Sequence, residues 1–191
     1  MSLKHKVEIE EALPIAQNLK AALQPWCESI EIVGSLRRRK GWVGDIEVLY
    51  IPRFRVKAAD LFSPKASAMV NLVDEQLERW LRALTIHERI NEVGHRTWGE
   101  ENKFAVHTAS GLSVDFFQTD GLRWNNALVV RTGGKQNNIN IASAARRLGW
   151  TFEASGSGFR SLRGLPYHHT TSERDVFEFV RLPYLEPQNR P

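Results

Sequence analysis

Two carboxylates and a group of cations lie close together in one short stretch, residues 34–50. Asp45 and Glu47 alternate with apolar residues in the period-two pattern of a strand, so both acids project from one face. Two such carboxylates repel each other unless a cation neutralises them, and a hard divalent ion such as Mg²⁺ prefers oxygen ligands of this kind. The turn at residues 34–35 offers backbone N–H groups to an anion, and cations follow it at residues 37–40. A metal site beside an anion site indicates chemistry on nucleotide phosphates.

Length and composition place the chain among soluble globular proteins. The 191 residues are 42% hydrophobic and 25% charged, enough for one core or for two small subdomains that share a cleft. No apolar run reaches the ~20 residues of a membrane span, and the first residues lack a secretory leader. The single cysteine, Cys27, cannot form an internal disulfide, which fits a reducing compartment. We therefore expect a cytoplasmic monomer with no membrane partner.

The hydrophobic periodicity predicts an α/β protein whose mixed sheet is flanked by helices. The predicted helices are residues 7–23, 66–84, 124–130, 136–148 and 173–181, and the stripe of the second includes Met69 and Leu84. The predicted strands are residues 29–33, 45–51, 86–93, 103–108 and 112–118, with a broken strand at 151–162. A loop is predicted at 52–65, and a hairpin turn at 109–111. The pattern changes near residue 120, which predicts one domain over 1–120 and a second, smaller α+β subdomain over 121–191.

Asp115 is the candidate for a third acid. It lies between Val114 and Phe116 in a predicted strand and projects from the face opposite to theirs. A lone Asp in such a strand is often simply solvated. If the strand pairs beside residues 45–47, however, Asp115 completes a site of three carboxylates.

These motifs resemble the signature of the nucleotidyltransferase superfamily, in the form carried by family X DNA polymerases. That signature is Gly-Ser, then Arg-Arg, then Gly-Asp-x-(Asp/Glu)-Val-Leu, and residues 34–49 match it in residue types and spacing. Residues 131–138 and 148–151 resemble the family's nucleotide-binding segment, and residues 172–190 are similar to its closing segment. The resemblance implies a nucleotidyltransferase palm over residues 1–120 and a C-terminal nucleotide-binding subdomain over 121–191. The chain resembles a minimal form of the family, without the lyase and helix-hairpin-helix regions of larger members.

The resemblance also implies a reaction. The protein would add nucleotides from dNTPs to the 3′-end of a DNA primer on its template, in gap filling or DNA repair. Two Mg²⁺ ions, with Mn²⁺ as a possible substitute, would be held by the three catalytic acids, Asp45, Glu47 and Asp115. The nucleotide would be bound by residues of the two turns and the helix that follows the second, namely Gly34, Ser35, Arg38, Thr132, Gly133 and Asn138.

The distribution of positive charge points to nucleic acid. The net charge is +4 and the isoelectric point is about 9.4, with arginine in clusters. Arginine suits phosphate recognition because its planar fork matches phosphate oxygens. We predict that DNA is contacted by the exposed arginines of the second half, Arg146, Arg147, Arg160 and Arg163. For any one cluster, scattered solvated charge is the alternative.

Departures from the family pattern leave two alternatives open. Glu47 replaces an Asp, and Ser113 replaces an arginine beside the third acid. Val130 and Arg131 lie where the family has a pair of aromatic residues that crowd the sugar. Ala142 replaces an arginine that faces the template, which favours template-independent terminal transfer, or transfer to RNA or a small acceptor. A catalytically silent nucleic-acid-binding module is the alternative from another class, although clustered carboxylates would not help it to bind DNA.

Overall fold

The computed structural model describes residues 6–56 and 69–191. Its α-helices are α1 Ile9–Leu23, α2 Gly34–Arg37, α3 Leu72–Arg82, α4 Trp124–Thr132, α5 Lys135–Arg147 and α6 Glu173–Phe179. The strands of the first half are β1 Val7–Glu8, β2 Cys27–Ile32, β3 Trp42–Val43, β4 Asp45–Pro52, β5 Phe54–Val56, β6 Met69–Asn71, β7 Ile86–Glu88, β8 Asn102–His107 and β9 Ser113–Gln118. Those of the second half are β10 Trp150–Glu153, β11 Gly158–Ser161 and β12 His168–His169.

A five-stranded sheet in the order β2-β4-β9-β8-β7 is the centre of the first half. Its central strands β4 and β9 run parallel, whereas the other neighbouring pairs are antiparallel. The sheet is therefore mixed, and helices flank it, which confirms the predicted fold class. The two central strands are those on which the candidate acids were predicted.

The two faces of the sheet have different coverings. Ile46, Val48 and Tyr50 alternate along β4 and join the apolar cluster that α1 and α3 build on one face. Leu49 and Phe117 belong to the other face, where they pack against Leu128 of α4. Asp45 and Glu47 lie an even number of positions before Leu49 along β4. The acids therefore project from the same face as Leu49, which α4 partly covers.

Two predicted boundaries are wrong around the gap in the described residues. The predicted helix 66–84 begins at Leu72, because Asn71 caps its first turn by accepting from the backbone N–H groups of Val73 and Asp74. Met69, assigned to the buried stripe, lies instead in β6 with 61% of its surface exposed. β6 pairs with β5, which occupies part of the predicted loop. Residues 57–68 lie outside the described part of the chain.

Further differences are small in extent. The first two residues of the predicted helix 7–23 form β1, which pairs with β3. Leu84 follows α3 and is exposed, with a left-handed backbone (φ 55°) that ends the helical stripe. The predicted strand 86–93 ends at Glu88. The β8–β9 hairpin turns at residues 109–111, as predicted.

The second half is built around its own apolar cluster, which joins α4, α5 and α6 to Phe159 of β11. The cluster of Leu49, Phe117 and Leu128 lies between this half and the sheet. A domain boundary at residue 120 stays a prediction. Within residues 6–56 and 69–191, the structure contains no helix that is both long and apolar enough for a membrane span.

Glu173, at the start of α6, connects the C-terminal segment to the first half. Arg37 donates to its two carboxylate oxygens at 2.6 and 3.0 Å, and Arg190 donates to one of them at 2.7 Å. Burial alone would raise the pKa of Glu173, but the two guanidiniums hold it below its ordinary value. Arg37 also donates to Thr132 Oγ1 at 2.7 Å, so the connection extends to the end of α4.

This connection makes a stability prediction. The side chain of Arg190 is fully buried and that of Glu173 is 14% exposed. Glu173→Ala leaves two arginines without their counter-charge, and should lower the free energy of unfolding by about 3–5 kcal/mol. Glu178→Ala on the same helix is the control, because Glu178 and its partner Arg174 are both 60% exposed and such pairs contribute about 0–1 kcal/mol. Denaturant unfolding of both variants measures the difference, and equal losses would contradict the connecting role.

Candidate active site

The three candidate acids lie together on the central strands. Glu47 of β4 and Asp115 of β9 are partners in the parallel ladder, and Asp45 pairs with Ser113. Partner residues on neighbouring strands lie about 4.8 Å apart in the backbone. Asp45, two residues before Glu47, projects from the same face. The strand pairing thus satisfies the condition on which the role predicted for Asp115 depends.

Glu47 also connects the acids to Gly34 and Ser35, which were predicted as a turn and form the start of the one-turn helix α2; we keep the name Gly-Ser turn for it. Gly34 has a left-handed backbone (φ 65°), and a methyl group added there would clash with Glu47 Oε2. The carboxylate therefore fills the space that any other side chain at position 34 would need. The neighbouring backbone is fixed as well, since Val33 N–H donates to the Glu47 carbonyl at 2.8 Å. The left-handed backbone favours glycine at position 34, and any larger side chain there would require the Glu47 carboxylate to move.

Ser35 and Arg38 are placed as an anion site would require. The Ser35 hydroxyl and Arg38 Nε are buried and have no hydrogen-bond partner among the described residues. Another nitrogen of the Arg38 guanidinium donates to the Thr132 carbonyl oxygen. Buried polar atoms are normally paired, so two unpaired groups in one turn point to a ligand or water that completes them. Of all the predicted binding residues, these two carry the clearest structural signal.

The electrostatics of the site centre on Glu47. Burial raises the pKa of Glu47 from its ordinary 4.5 to about 7, and the negative charges of Asp45 and Asp115 add to the increase. Arg131 and Arg38 act in the opposite direction. Burial is thus the main reason that Glu47 resists ionisation, and the neighbouring carboxylates add to it.

Two arginines oppose this negative charge in the structure. Arg89 Nη1 lies 2.8 Å from Asp115 Oδ1, and the Arg89 guanidinium also lies over the Phe104 ring. The guanidinium of Arg131 stacks 3.6 Å from the centre of the Phe117 ring, within electrostatic reach of Glu47 and Asp115. Burial lowers the pKa of Arg131, and the nearby acids partly offset that effect.

A metal at this site stays a prediction, which rests on the chemistry of the three acids. In residues 6–56 and 69–191 no three acidic, histidine or cysteine side chains are already arranged as a metal site. Asp115 is paired with Arg89, and Glu47 is packed over Gly34. Three carboxylates on one face still form the oxygen-rich donor set that Mg²⁺ and Mn²⁺ prefer. Burial is the main cause of the raised pKa of Glu47, and a divalent cation would relieve the carboxylate repulsion that adds to it.

The nucleotide-binding residues predicted in the second half lie just beyond Arg38. Thr132 is buried, and its hydroxyl and carbonyl accept from Arg37 and Arg38 respectively. Asn138 donates to the Val130 carbonyl at 2.9 Å. A methyl group at Gly133 would lie 2.5 Å from Asn137 Nδ2, so the turn is closely packed. Thr132 is thus adjacent to the first-half site, and a nucleotide-binding role for these three residues stays a prediction.

The four arginines predicted to contact DNA lie on other elements. Arg146 and Arg147 are exposed in the last turn of α5. Arg160 on β11 pairs with Glu153 at 2.6 Å, so part of its charge is neutralised within the protein. Arg163 is exposed, and its guanidinium lies against Gly149 at the end of α5. They form a separate basic group at the end of α5 and along the hairpin that follows it, and DNA contact there stays a prediction.

Sequence reasoning missed Arg89 and Glu173. Arg89 reaches Asp115 because its backbone N–H donates to the Phe104 carbonyl and Phe104 is the ladder partner of Asp115. That register cannot be read from the strand pattern alone. Glu173 belongs to the closing segment noted for its resemblance, but its ion pair with Arg37 joins residues far apart in the chain.

A comparison with known proteins finds a similarity in the C-terminal half of the chain. A mixed sheet that brings three acids together beside the Gly-Ser turn is an arrangement suited to phosphate transfer. The family model of the DNA polymerase beta thumb matches residues 127–191. This segment includes most of α4 and all of α5, the β10–β11 hairpin and α6, and the match supports a relationship to DNA polymerase beta-like proteins. No curated protein matches the chain.

The raised pKa of Glu47 predicts a pH-dependent stability. The folded protein binds this proton more tightly than the unfolded chain, so folding loses stability as pH rises from about 4.5 to about 7. Glu47→Gln removes the ionisable carboxyl group, so the variant lacks this contribution to pH dependence. In a chelator, the melting temperature of the variant relative to wild type should therefore rise across that interval and level off above it.

Thermal unfolding between pH 5 and pH 8 measures this difference. Glu178→Gln is the control, because Glu178 is exposed on α6 and tests the loss of one surface charge. A difference between Glu47→Gln and wild type that stays constant with pH would show that Glu47 ionises normally.

Proposed function

We propose that the protein is a DNA polymerase beta-like nucleotidyltransferase that adds nucleotides from dNTPs to a DNA 3′-end, in gap filling or repair. The observation that carries the proposal is the pairing of Glu47 with Asp115 in the parallel ladder, with Asp45 on the same face. The unpaired polar atoms of Ser35 and Arg38 beside these acids support it. The thumb match over residues 127–191 supports the same class.

In this proposal the carboxylates of Asp45, Glu47 and Asp115 hold two Mg²⁺ ions, for which Mn²⁺ can substitute. When bound there, such ions would lower the pKa of the primer 3′-hydroxyl and would stabilise the charge that develops at the α-phosphate. Burial raises the pKa of Glu47 to about 7, so Glu47 would have to be deprotonated to act as a ligand. Arg89 holds one oxygen of Asp115 and fixes the direction of that carboxylate.

Ser35 and Arg38 grip the β- and γ-phosphates of the nucleotide in this proposal. Arg38 keeps its bond to the Thr132 carbonyl and offers its unpaired Nε to a phosphate oxygen. Glycine at position 34 lets the backbone turn closely enough for N–H groups to approach the anion. The same turn therefore binds the triphosphate and contacts the end of α4.

Gly133 and Asn138 bind the nucleotide from the thumb side. Asn138 uses one amide hydrogen on the Val130 carbonyl, which leaves the second hydrogen of its NH₂ group for the ligand. Pyrophosphate leaves on the side of Arg38 and Ser35.

Primer extension tests the proposal. The wild-type protein is given Mg²⁺, all four dNTPs and a labelled primer, either in a gapped duplex or as a single strand. We expect template-directed extension of the gapped duplex. Asp115→Asn should reduce the rate by roughly 10²–10⁴-fold, because the site loses a metal ligand. Asp120→Asn is the matched control, since Asp120 follows the same strand and pairs with Arg123 at an exposed position.

Each other outcome has a defined meaning. Untemplated extension of the single strand with any dNTP would replace the proposal with terminal transfer. No extension with Mg²⁺ or Mn²⁺, together with retained DNA binding, would make the protein a binding module. Wild-type rates for Asp115→Asn would show that the third acid is another residue.

A further inference from the structure

An exposed tryptophan lies in the loop between the anion turn and the acids. Trp42 has 60% of its surface exposed, although the next residue, Val43, is fully buried in the core. Trp42 lies in β3, three residues before Asp45. Neither the candidate site nor the arginines predicted to bind DNA make use of this ring.

The backbone that carries Trp42 is fixed at both ends. Lys40 N–H donates to the Ser35 carbonyl at 3.1 Å, and Ile9 N–H donates to the Gly41 carbonyl at 3.0 Å. Trp42 is itself paired with Glu8 in the β1–β3 ladder. A ring on so constrained a backbone loses little freedom when a ligand stacks on it.

The two cations before Trp42 have no partners within the described residues. Arg39 and Lys40 are exposed and form no ion pair with residues 6–56 or 69–191. Arg39 adopts a left-handed backbone (φ 54°), which is uncommon outside glycine. Glu8 is the ladder partner of Trp42. Its single negative charge does not cancel the two positive charges of Arg39 and Lys40.

A second exposed aromatic residue provides a comparison within the chain. Phe54 is 48% exposed and also lies between two arginines. Those arginines are engaged within the protein, because Arg53 donates to the Cys27 carbonyl and Arg55 pairs with Glu75. Only the loop at residues 39–42 combines a rigid exposed ring with cations that are not already paired inside the described part of the chain.

We propose that Trp42, with Arg39 and Lys40, forms a stacking contact for a single-stranded nucleic acid segment, such as the unpaired part of the acceptor. A base stacks on the Trp42 ring while the two cations hold the flanking phosphates. Duplex bases are already stacked on each other, so the contact selects unpaired strands. The proposal rests on the proposed function, since it locates a strand beside the site that acts on it.

The groove next to this loop is not the track of the strand. Arg39 contributes to the wall of an open groove of about 610 Å³, but Glu10 and Glu31 line the same groove. Carboxylates there would repel phosphates. The strand therefore lies on the Trp42 side of the loop rather than in this groove.

Fluorescence anisotropy with a short labelled oligodeoxythymidine tests the inference on the full chain. Trp42→Ala should weaken binding about fivefold or more, because loss of one base–aromatic stack has an effect of that order. Trp42→Phe should keep most of the affinity, and Phe54→Ala, the matched control, should keep all of it. Binding of a blunt hairpin duplex should not change in Trp42→Ala.

Salt dependence provides a second readout that does not involve the ring. Arg39→Ala with Lys40→Ala should flatten the slope of log K against log salt by about 1.4 for a single strand. Circular dichroism melting of each variant verifies that the fold is intact.

Unchanged oligonucleotide affinity in Trp42→Ala would overturn the inference, and with primer extension intact it would leave the proposed function standing. Failure of the wild-type protein to bind any oligonucleotide would overturn both. If Trp42→Ala lost affinity only for anionic phospholipid vesicles, the loop would face a membrane surface and the inference would be wrong.

Discussion

Repulsion between three carboxylates is the constraint on which the rest of the site depends. Glu47 and Asp115 are ladder partners on parallel strands, and Asp45 projects beside them. Burial and this repulsion raise the pKa of Glu47 to about 7. Arg89 compensates the charge by pairing with Asp115, and Arg131 compensates it by stacking within reach of both acids. Such an arrangement is stable only with cations close by, and a divalent ion would neutralise it more completely than the two arginines do.

The Gly-Ser turn contacts both the acids and the C-terminal half. Glu47 fills the space above Gly34, so the turn and the acids have one shared geometry. The arginines of the turn reach in the other direction, where Arg37 pairs with Glu173 and Arg38 bonds to the Thr132 carbonyl. A displacement of the second half relative to the sheet would therefore move the groups that face the phosphate site. This coupling gives a physical reason for the signature arginines to be consecutive.

The sequence predicted the sheet, most helices and the parity of the acids, because period-two and helical patterns depend on local burial. It was wrong where short-range chemistry competes with periodicity, as at Asn71, whose cap starts α3 after the predicted beginning. The pairing of β4 with β9, on which Asp115 depends, was only a condition in the sequence analysis, because a strand pattern does not show which strands are neighbours. Contacts that depend on register or on long-range packing, such as Arg89 with Asp115 and Glu173 with Arg37, had no local signal.

Anomalous scattering from crystals soaked in Mn²⁺ tests most directly the claim that the three acids form a cation site. The account predicts anomalous density between Asp45, Glu47 and Asp115, with metal–oxygen distances of roughly 2.1 Å, and a second peak when a non-hydrolysable dNTP is present. Arg89 should then share or release the Asp115 oxygen that it holds in the metal-free protein. Absence of density at these carboxylates, with the Arg89–Asp115 pair intact and manganese bound elsewhere on the chain, would contradict the account.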